Sequence, residues 1–203
     1  MKIICIGRNY ANHAKELNNP IPEEPVIFMK PDSSLIRNNQ PFFIPDFSTD
    51  VHHEVELVVK INKLGKHIDK KFAHKYYNEI GIGIDFTARD LQSKLKEKGL
   101  PWEKAKGFDG SAPLGKFVPK STFSDIENIN FHLDINGKRV QTGNTSNMLF
   151  SIDTIIEHVS KYFTLKIGDL IYTGTPEGVG PVKAGDRLAC FIEEEEFLAF
   201  NIR

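Results

Sequence analysis

Cysteine is almost absent from this sequence. Among 203 residues there are two, Cys5 and Cys190, close to opposite ends of the chain. That number and spacing exclude a disulfide framework and a cysteine-based zinc site. Each cysteine lies in an apolar run, IICIG or LACFI, so we expect two buried structural thiols. The sequence therefore indicates a protein of a reducing compartment, and we predict a cytoplasmic location.

Long apolar runs and an excess of charge of either sign are also missing. No run approaches the ~20 apolar residues of a membrane span, and the start, MKIICIGRNY, lacks the pattern of a signal peptide. Lysine plus arginine number 26 against 27 for aspartate plus glutamate, which leaves a formal net charge of −1. We therefore expect neither nucleic acid nor a membrane as a partner, and an anionic substrate would need local cations.

Hydrophobic patterning predicts a β-rich α+β fold in one domain spanning residues 1–203. Helical periodicity is limited to Ala11–Leu17, Ala88–Lys98 and Ser151–Lys161. Asn136-Gly137, between two strand-like runs, is the strongest hairpin signal. The predicted strands are Lys2–Ile6, Val26–Met29, Pro41–Ile44, Val51–Ile61, Ile80–Thr87, Phe131–Ile135, Lys138–Thr142, Asp169–Thr173, Arg187–Ile192 and Phe197–Ile202.

Three carboxylates lie in two of these strand-like segments. In HHEVELVV, Glu54 and Glu56 share one face of a strand, where carboxylates repel unless a cation lies between them. In GIGIDFTARD, Asp85 shares a face with Gly81 and Gly83, which leave room for a close approach. Three hard oxygen ligands suit Mg²⁺ or Mn²⁺. Two alternatives stay open: a solvated glutamate face, and a glycine strand packed on another backbone with Asp85 capping the next helix.

Three further segments carry residues with chemical potential. His13 and Glu16 are neighbours on a helix, and a carboxylate beside an imidazole favours general base catalysis, although an ordinary exposed pair has the same spacing. Lys106 lies in a glycine-rich segment and carries little weight alone, because most lysines are solvated. The segment GDLIYTGTPEGVGP predicts either a fixed loop whose amides bind an anion or a simple hairpin connection.

Together these segments resemble one family. The chain is similar to the fumarylacetoacetate hydrolase superfamily over nearly its whole length, and more narrowly to its short branch of acylpyruvases, fumarylpyruvate hydrolases and oxaloacetate decarboxylases. The resemblance implies a mixed-sheet β-roll or sandwich with few short helices, and usually a homodimer. It is carried by GRNYANHAKEL, PVIFMKP, HHEVELVV, GIGIDFTARDLQ, KGLPWEKAKGFDGSAPLG, GNTSNMLFSI and GDLIYTGTPEGVGPVKAGD.

The resemblance also implies roles for particular residues. The expected cofactor is Mg²⁺ (or Mn²⁺), and the expected substrate is a small α-keto acid or diacid. The expected reaction breaks a carbon–carbon bond through a Mg-stabilised pyruvate enolate, by hydrolysis or by decarboxylation. A 2-hydroxyhepta-2,4-diene-1,7-dioate isomerase or a keto–enol tautomerase would use the same site. The implied residues are Glu54, Glu56 and Asp85 for the metal; His13, Glu16 and Lys106 for catalysis; and Arg8, Arg89, Gln92 and Thr175 for substrate binding.

A mobile lid is the last expectation from the sequence. The segment Tyr10–Asn19 is short and polar and ends in Asn-Asn-Pro. An isolated helix of two turns is marginal in water, so it is expected to settle over the site only when a ligand binds.

Overall fold

A computed structural model of the chain describes residues 1–17 and 20–203. Asn18 and Asn19, which end the predicted lid and begin the connection that follows it, lie outside the described residues. Within the described part the chain is mostly β-structure with five short helices, which confirms the predicted fold class. The helices are α1 (Ala11–Glu16), α2 (Lys70–Ala73), α3 (Arg89–Glu97), α4 (Glu103–Lys106) and α5 (Ile152–Tyr162).

The strands form a large mixed sheet and two smaller antiparallel sheets. Their bounds are β1 (Ile3–Gly7), β2 (Val26–Lys30), β3 (Leu35–Ile36), β4 (Val51–His53), β5 (Val55–Ile61), β6 (Tyr77–Ile84), β7 (Thr87–Ala88), β8 (Ala112–Pro119), β9 (Asn130–Ile135), β10 (Lys138–Asn144), β11 (Leu170–Tyr172), β12 (Gly180–Pro181), β13 (Arg187–Ile192) and β14 (Glu195–Asn201). The large sheet has the order β2-β1-β11-β5-β6-β8-β3, in which β1–β11 and β3–β8 are parallel. The others have the orders β10-β9-β13-β14 and β12-β4-β7.

One hydrophobic core joins the seven-stranded and four-stranded sheets. Alternate residues of β6, including Ile80 and Ile82, are fully buried in the same cluster as Phe131 and Leu133 of β9. Strand β5 has almost every side chain buried, as expected for a central strand covered on both faces. The apolar face of α5 covers the same core, and both cysteines are buried and free, as predicted.

The glycines of β6 serve strand packing. A Cβ atom built on Gly83 would lie 2.7 Å from the Tyr172 ring and 2.8 Å from the Pro113 carbonyl oxygen. A Cβ on Gly81 would lie 2.8 Å from the Lys116 carbonyl oxygen. The close approach predicted for this strand is therefore made by the adjacent strand β8 and by the Tyr172 ring from β11 of the same sheet, as the packing alternative proposed.

Two predicted strands are each broken at a carboxylate. The segment Val51–Ile61 divides at Glu54 into β4 and β5, and the segment Ile80–Thr87 ends as a strand at Ile84 before β7. The breaks occur because the chain passes from the large sheet to the three-stranded sheet, where β4 pairs with β7. The alternative role of Asp85 as a helix cap is wrong, since α3 follows Ala88 and has no side-chain cap.

Of the remaining secondary-structure predictions, one hairpin is confirmed, one strand is wrong, and two short helices were missed. The Asn136-Gly137 hairpin is confirmed, with φ of 53° and 78° at its two turn residues. The predicted strand Pro41–Ile44 is wrong, because among the described residues its sheet pairing is a single isolated bridge from Phe42 to Ile202. The N–H groups of Phe42 and Ile44 donate to the carbonyls of Asn201 and Arg203, but Pro41 and Pro45 have no N–H with which to extend this pairing. Helices α2 and α4 were not predicted, since one turn is too short to show periodicity. No helix in residues 1–17 and 20–203 is long and apolar enough to cross a membrane.

Candidate active site

The three predicted metal ligands converge where the two broken strands meet. The backbone N–H of Asp85 donates to the Glu54 carbonyl at 2.8 Å, and Glu56 on β5 lies opposite Gly83 on β6. One carboxylate oxygen from each of the three acids lies within 4.8 Å of the others, and all three side chains are buried. Buried carboxylates this close repel one another strongly, so the arrangement requires cations.

Three cationic side chains surround the carboxylates. Lys106 Nζ lies 2.7 Å from both Glu54 Oε2 and Asp85 Oδ2, and the Arg89 guanidinium donates to Glu54 Oε1. Lys30 Nζ lies 2.7 Å from Asp85 Oδ1. The formal charges of these three acids and three bases sum to zero when every group is ionised.

Lys30 is a site residue that sequence reasoning missed. Its side chain is fully buried, and its ammonium, which has three hydrogens, lies within hydrogen-bond distance of four acceptors: the backbone carbonyls of Phe86, Lys106 and Ser111 and the Ser111 hydroxyl. It therefore connects β2 to the end of α4, where Lys106 lies. The available signal was a lysine ending the apolar run PVIFMKP, and it is weak because most lysines at strand ends are exposed.

Burial and the surrounding charges shift the pKa values of Glu54 and Glu56 in opposite directions. Burial alone would raise the pKa of Glu54, but Lys106 and Arg89 outweigh it and hold that pKa well below its usual range. The pKa of Glu56 is raised well above its ordinary value by burial and by Asp85 and Glu54. Its Oε2 accepts the Gly174 N–H at 2.7 Å, which offsets only part of this.

Lys106 is held in its charged form. Burial lowers its pKa, but the carboxylates of Asp85 and Glu54 reverse that effect and raise it above the ordinary value. A lysine in this state donates hydrogen bonds and supplies positive charge, and it is a poor base at neutral pH. Lys106 is the last residue of the one-turn helix α4, whereas the sequence indicated that it lies in a glycine-rich loop.

The donor set fits a hard divalent cation. Asp85 Oδ1 is buried and, although near Lys30, accepts no well-directed hydrogen bond, so a lone pair remains available there. Glu56 is the acid whose ionised form the cluster stabilises least. A cation bound by the three carboxylates would satisfy both groups, and all-oxygen ligands favour Mg²⁺ or Mn²⁺ over Zn²⁺. Neither adjacent histidine belongs to the cluster: His52 pairs with Asp50, and His53 with Gln141.

His13 and Glu16 form a contact on α1 with the predicted spacing. His13 Nδ1 lies 3.3 Å from Glu16 Oε2, and both carboxylate oxygens of Glu16 accept the Gly178 N–H, at 3.0 and 3.2 Å. An ionised carboxylate only accepts, so this contact assigns the proton to Nδ1 and leaves the Nε2 lone pair as the basic group. His13 is buried, which argues against an ordinary exposed helix pair.

The predicted substrate residues border the same space. Arg89 also donates to Gln92 Oε1 at 2.7 Å. Its guanidinium therefore contacts both Glu54, a candidate metal ligand, and Gln92, a candidate substrate-binding residue. Arg8 adopts a left-handed backbone conformation, with φ of 59°, at the turn after β1. Thr175 is buried in the loop after β11, and its hydroxyl donates to the Val55 carbonyl at 2.9 Å.

All predicted site residues except Glu16 line one cavity of about 40 Å³. This volume is far below the ~300–1,000 Å³ of typical ligand pockets, so the described conformation is closed. The covering element is α1, in which His13 and Ala14 are buried. The residues outside the prediction that also line the cavity are Ile6, Gly7, Leu17, Phe28, Lys96 and Trp102.

Comparison with known proteins identifies the family of this chain. Residues 2–200 match the model of the fumarylacetoacetate (FAA) hydrolase C-terminal family. The chain belongs to this family. The motif resemblance found in the sequence is thereby confirmed.

Two relatives within the family carry closely related names. The chain is 47% identical to a mitochondrial oxaloacetate decarboxylase of Dictyostelium discoideum over 192 residues, which cover 94% of this chain and 88% of that protein. It is 45% identical to an oxaloacetate tautomerase of Escherichia coli K12 over 188 residues, which cover 92% of this chain and 86% of that protein.

A solved structure of the family is similar throughout. The fumarylpyruvate hydrolase of Pseudomonas aeruginosa, in complex with Mn²⁺ and pyruvate, superimposes with a TM-score of 0.93 at 34% identity. The match covers 100% of this chain and 89% of that one. The family fold is therefore shared from end to end.

Proposed function

We propose that this protein converts oxaloacetate through its enolate, in a site that depends on a divalent cation. The observation that carries the proposal is the charge of the cluster. Three carboxylates and three cationic side chains cancel, so a bound divalent cation leaves a surplus of two positive charges. An α-keto dicarboxylate supplies two negative charges, and both relatives described above are named for oxaloacetate.

The cation would be held by Glu54, Glu56 and Asp85. When bound, it supplies Lewis-acid stabilisation for the negative charge that develops on the α-keto oxygen. Lys106 adds to this as a charged donor, which the acids beside it keep protonated. Arg8, which is not part of the charge count above, provides further positive charge at the cavity wall for the substrate carboxylates.

His13 is the proposed proton-transfer residue. With Nδ1–H donated to Glu16, its Nε2 can take a proton from C3 of oxaloacetate, and the resulting enolate is reprotonated on oxygen to complete tautomerisation. Decarboxylation breaks the C3–C4 bond instead and leaves pyruvate enolate and carbon dioxide. That route requires no base before the bond breaks, so the two reactions differ in their need for His13.

Hydrolysis of an acylpyruvate or fumarylpyruvate is the second candidate. It is supported by the His13–Glu16 pair, which could deprotonate an attacking water, and by the similarity to a fumarylpyruvate hydrolase solved with pyruvate. The heptadienedioate isomerase has the same requirements for cation and base and remains the alternative. The homodimer and the cytoplasmic location remain predictions.

A substrate panel with controlled metal tests this proposal. Purified protein is stripped with a chelator, then assayed with and without Mg²⁺ or Mn²⁺ on oxaloacetate, acetylpyruvate, fumarylpyruvate and a heptadienedioate. We expect the highest kcat/KM with oxaloacetate, no turnover after chelation and recovery with either cation. Glu54→Gln should abolish recovery, whereas Glu79→Gln, at a surface ion pair with Lys60, should not. Full activity after exhaustive chelation would overturn the metal requirement.

A further inference from the structure

The buried amide of Gln141 joins the four-stranded sheet to the candidate site. Gln141 lies on β10, is 2% exposed, and belongs to a sheet that carries none of the predicted site residues. Its Oε1 accepts the Val55 N–H at 3.1 Å and lies 2.8 Å from His53 Nδ1. Its Nε2 donates to Thr175 Oγ1 and to the Pro176 carbonyl, both at 3.0 Å.

These partners determine the orientation of the amide. A backbone N–H only donates and a backbone carbonyl only accepts, so Oε1 must face Val55 and Nε2 must face Pro176. Both donors and both acceptor positions of Gln141 are thus occupied. A buried amide satisfied on all sides is rigid, because rotation would leave several polar groups without partners.

The loop that contains Thr175 also packs directly on β10. A Cβ atom built on Gly178 would lie 2.7 Å from the Val140 carbonyl oxygen and 3.4 Å from Gln141 Cγ. The same Gly178 N–H binds the carboxylate of Glu16. Strand β10 therefore supports the segment that contacts both the cavity and α1.

The Thr175 hydroxyl has no proton left for a ligand. It donates its single hydrogen to the Val55 carbonyl and accepts a hydrogen bond from Gln141. An ionised carboxylate can only accept, so this hydroxyl cannot bind one while both contacts persist. Among residues 1–17 and 20–203, the backbone N–H of Thr175 has no hydrogen-bond acceptor. That N–H is the donor that Thr175 can offer to an anion in the cavity.

We propose that Gln141 is a positioning residue for substrate binding. It holds the Thr175 side chain against β5, so that the loop presents the backbone N–H of Thr175 to a carboxylate of the bound α-keto acid. The inference rests on the proposed function, because it takes the ligand to be an α-keto acid anion. In the described part of the chain, Gln141 does not line the cavity, and its hydrogen-bond partners do not include the three carboxylates.

Calorimetric titration of Mn²⁺, followed by oxalate as a mimic of pyruvate enolate, tests this proposal. Thr175→Val removes the hydroxyl at constant shape, and Gln141→Met removes the amide. We expect each to raise the oxalate Kd by about tenfold, the effect of losing one charge-assisted hydrogen bond, with the Mn²⁺ Kd unchanged. The double variant should be no worse than either single variant, because both remove the same support. Thr175→Ser, which keeps the hydroxyl, should recover most of the affinity.

Two further variants keep the test informative. If Gln141→Met folds poorly, Gln141→Glu replaces it, because a carboxylate retains the acceptors for Val55 and His53 but loses the donors to the loop. That variant should give the same rise in oxalate Kd. Thr142→Val changes an exposed threonine on the same strand and should leave both constants unaltered.

The outcomes separate this inference from the proposed function. If Thr175→Val weakens oxalate binding and neither Gln141 variant does, the hydroxyl contacts the anion directly and the inference is overturned. It is also overturned if Thr175→Val has no effect, or if the Mn²⁺ and oxalate constants change in parallel. A wild-type protein that binds Mn²⁺ but not oxalate would overturn the proposed function together with this inference. Normal wild-type binding with unaffected variants would overturn the inference alone.

Discussion

Lys30 and Asp85 form an ion pair in which both side chains are almost completely buried, 0% and 1% exposed, with 2.7 Å between Nζ and Oδ1. The same ammonium is also within hydrogen-bond distance of three backbone carbonyl oxygens, one of which belongs to Lys106. This pair therefore ties a candidate metal ligand to the segment that carries the candidate catalytic lysine. Neither its partners nor its burial could be read from the local sequence.

Lys30→Met should be strongly destabilising. It leaves buried carbonyls unpaired and removes one of two cations from Asp85, so we expect the free energy of unfolding to fall by about 3–5 kcal/mol. Lys60→Met is the matched control, because Lys60 pairs with Glu79 at the half-exposed surface and should contribute less than about 1 kcal/mol. Urea unfolding of both variants measures the difference. Similar small losses in the two would contradict the structural role of Lys30.

Glu56→Gln should stabilise the metal-free protein. Burial, Asp85 and Glu54 raise the pKa of Glu56 above the ordinary 4.5, so the folded state favours the protonated acid. Its ionisation therefore costs folding free energy as the pH rises from the ordinary pKa towards the raised one. Glutamine mimics the protonated form and should exceed the wild type in stability at about pH 8, with a smaller margin near pH 5.

Unfolding in chelator across this pH range measures the Glu56 effect. Glu79→Gln serves as the control, since Glu79 is one-third exposed and paired with Lys60. With Mn²⁺ added, the order should reverse, because the wild type gains a ligand-binding stabilisation that the variant lacks. A Glu56→Gln protein less stable than the wild type in chelator at every pH would refute the repulsion between the three acids.

His13→Ala should separate the reactions proposed for the site. Proton transfer at C3 and attack by water both need a base, a contribution of typically ~10²–10⁴-fold, whereas decarboxylation does not. We expect this variant to lose most tautomerase or hydrolase activity and to retain a larger fraction of decarboxylase activity. Lys106→Ala should weaken all of them. The test is to measure kcat for each reaction in each variant. If His13→Ala loses the same fraction of every activity, the reactions do not differ in their need for His13 and the prediction is wrong.

Helix α1 should exchange its amide hydrogens more slowly when a ligand is bound. It has six residues, too few for stability alone, and is held over the cavity by buried His13 and by the contact between Glu16 and Gly178. Hydrogen exchange of the α1 amides with Mn²⁺, with and without oxalate, measures this. Amides of α5, a longer helix in the core, should show no change and serve as the internal reference. Equal protection of α1 in both conditions would exclude a ligand-controlled lid.

The sequence by itself determined the secondary structure with strong local signals. Alternating or continuous apolar runs marked the central strands, and the Asn136-Gly137 turn marked a hairpin, because these features depend on neighbouring residues alone. Residue spacing placed Glu54 and Glu56 on one face of a strand, and the likeness of the motifs to one family implied that Asp85 joins them and identified that family. The one-turn helix that carries Lys106 left no periodic signal.

Only the tertiary structure decided how the site is built. The strand breaks at Glu54 and Asp85 arise from a change of sheet, which is a property of long-range pairing. Lys30 and Gln141 had no distinguishing local pattern, since a buried lysine or glutamine is recognised by partners far along the chain. Gln141 is separated from Val55 by 86 residues, and Lys30 from Ser111 by 81. Burial makes such polar contacts obligatory, but only the folded chain shows which groups meet.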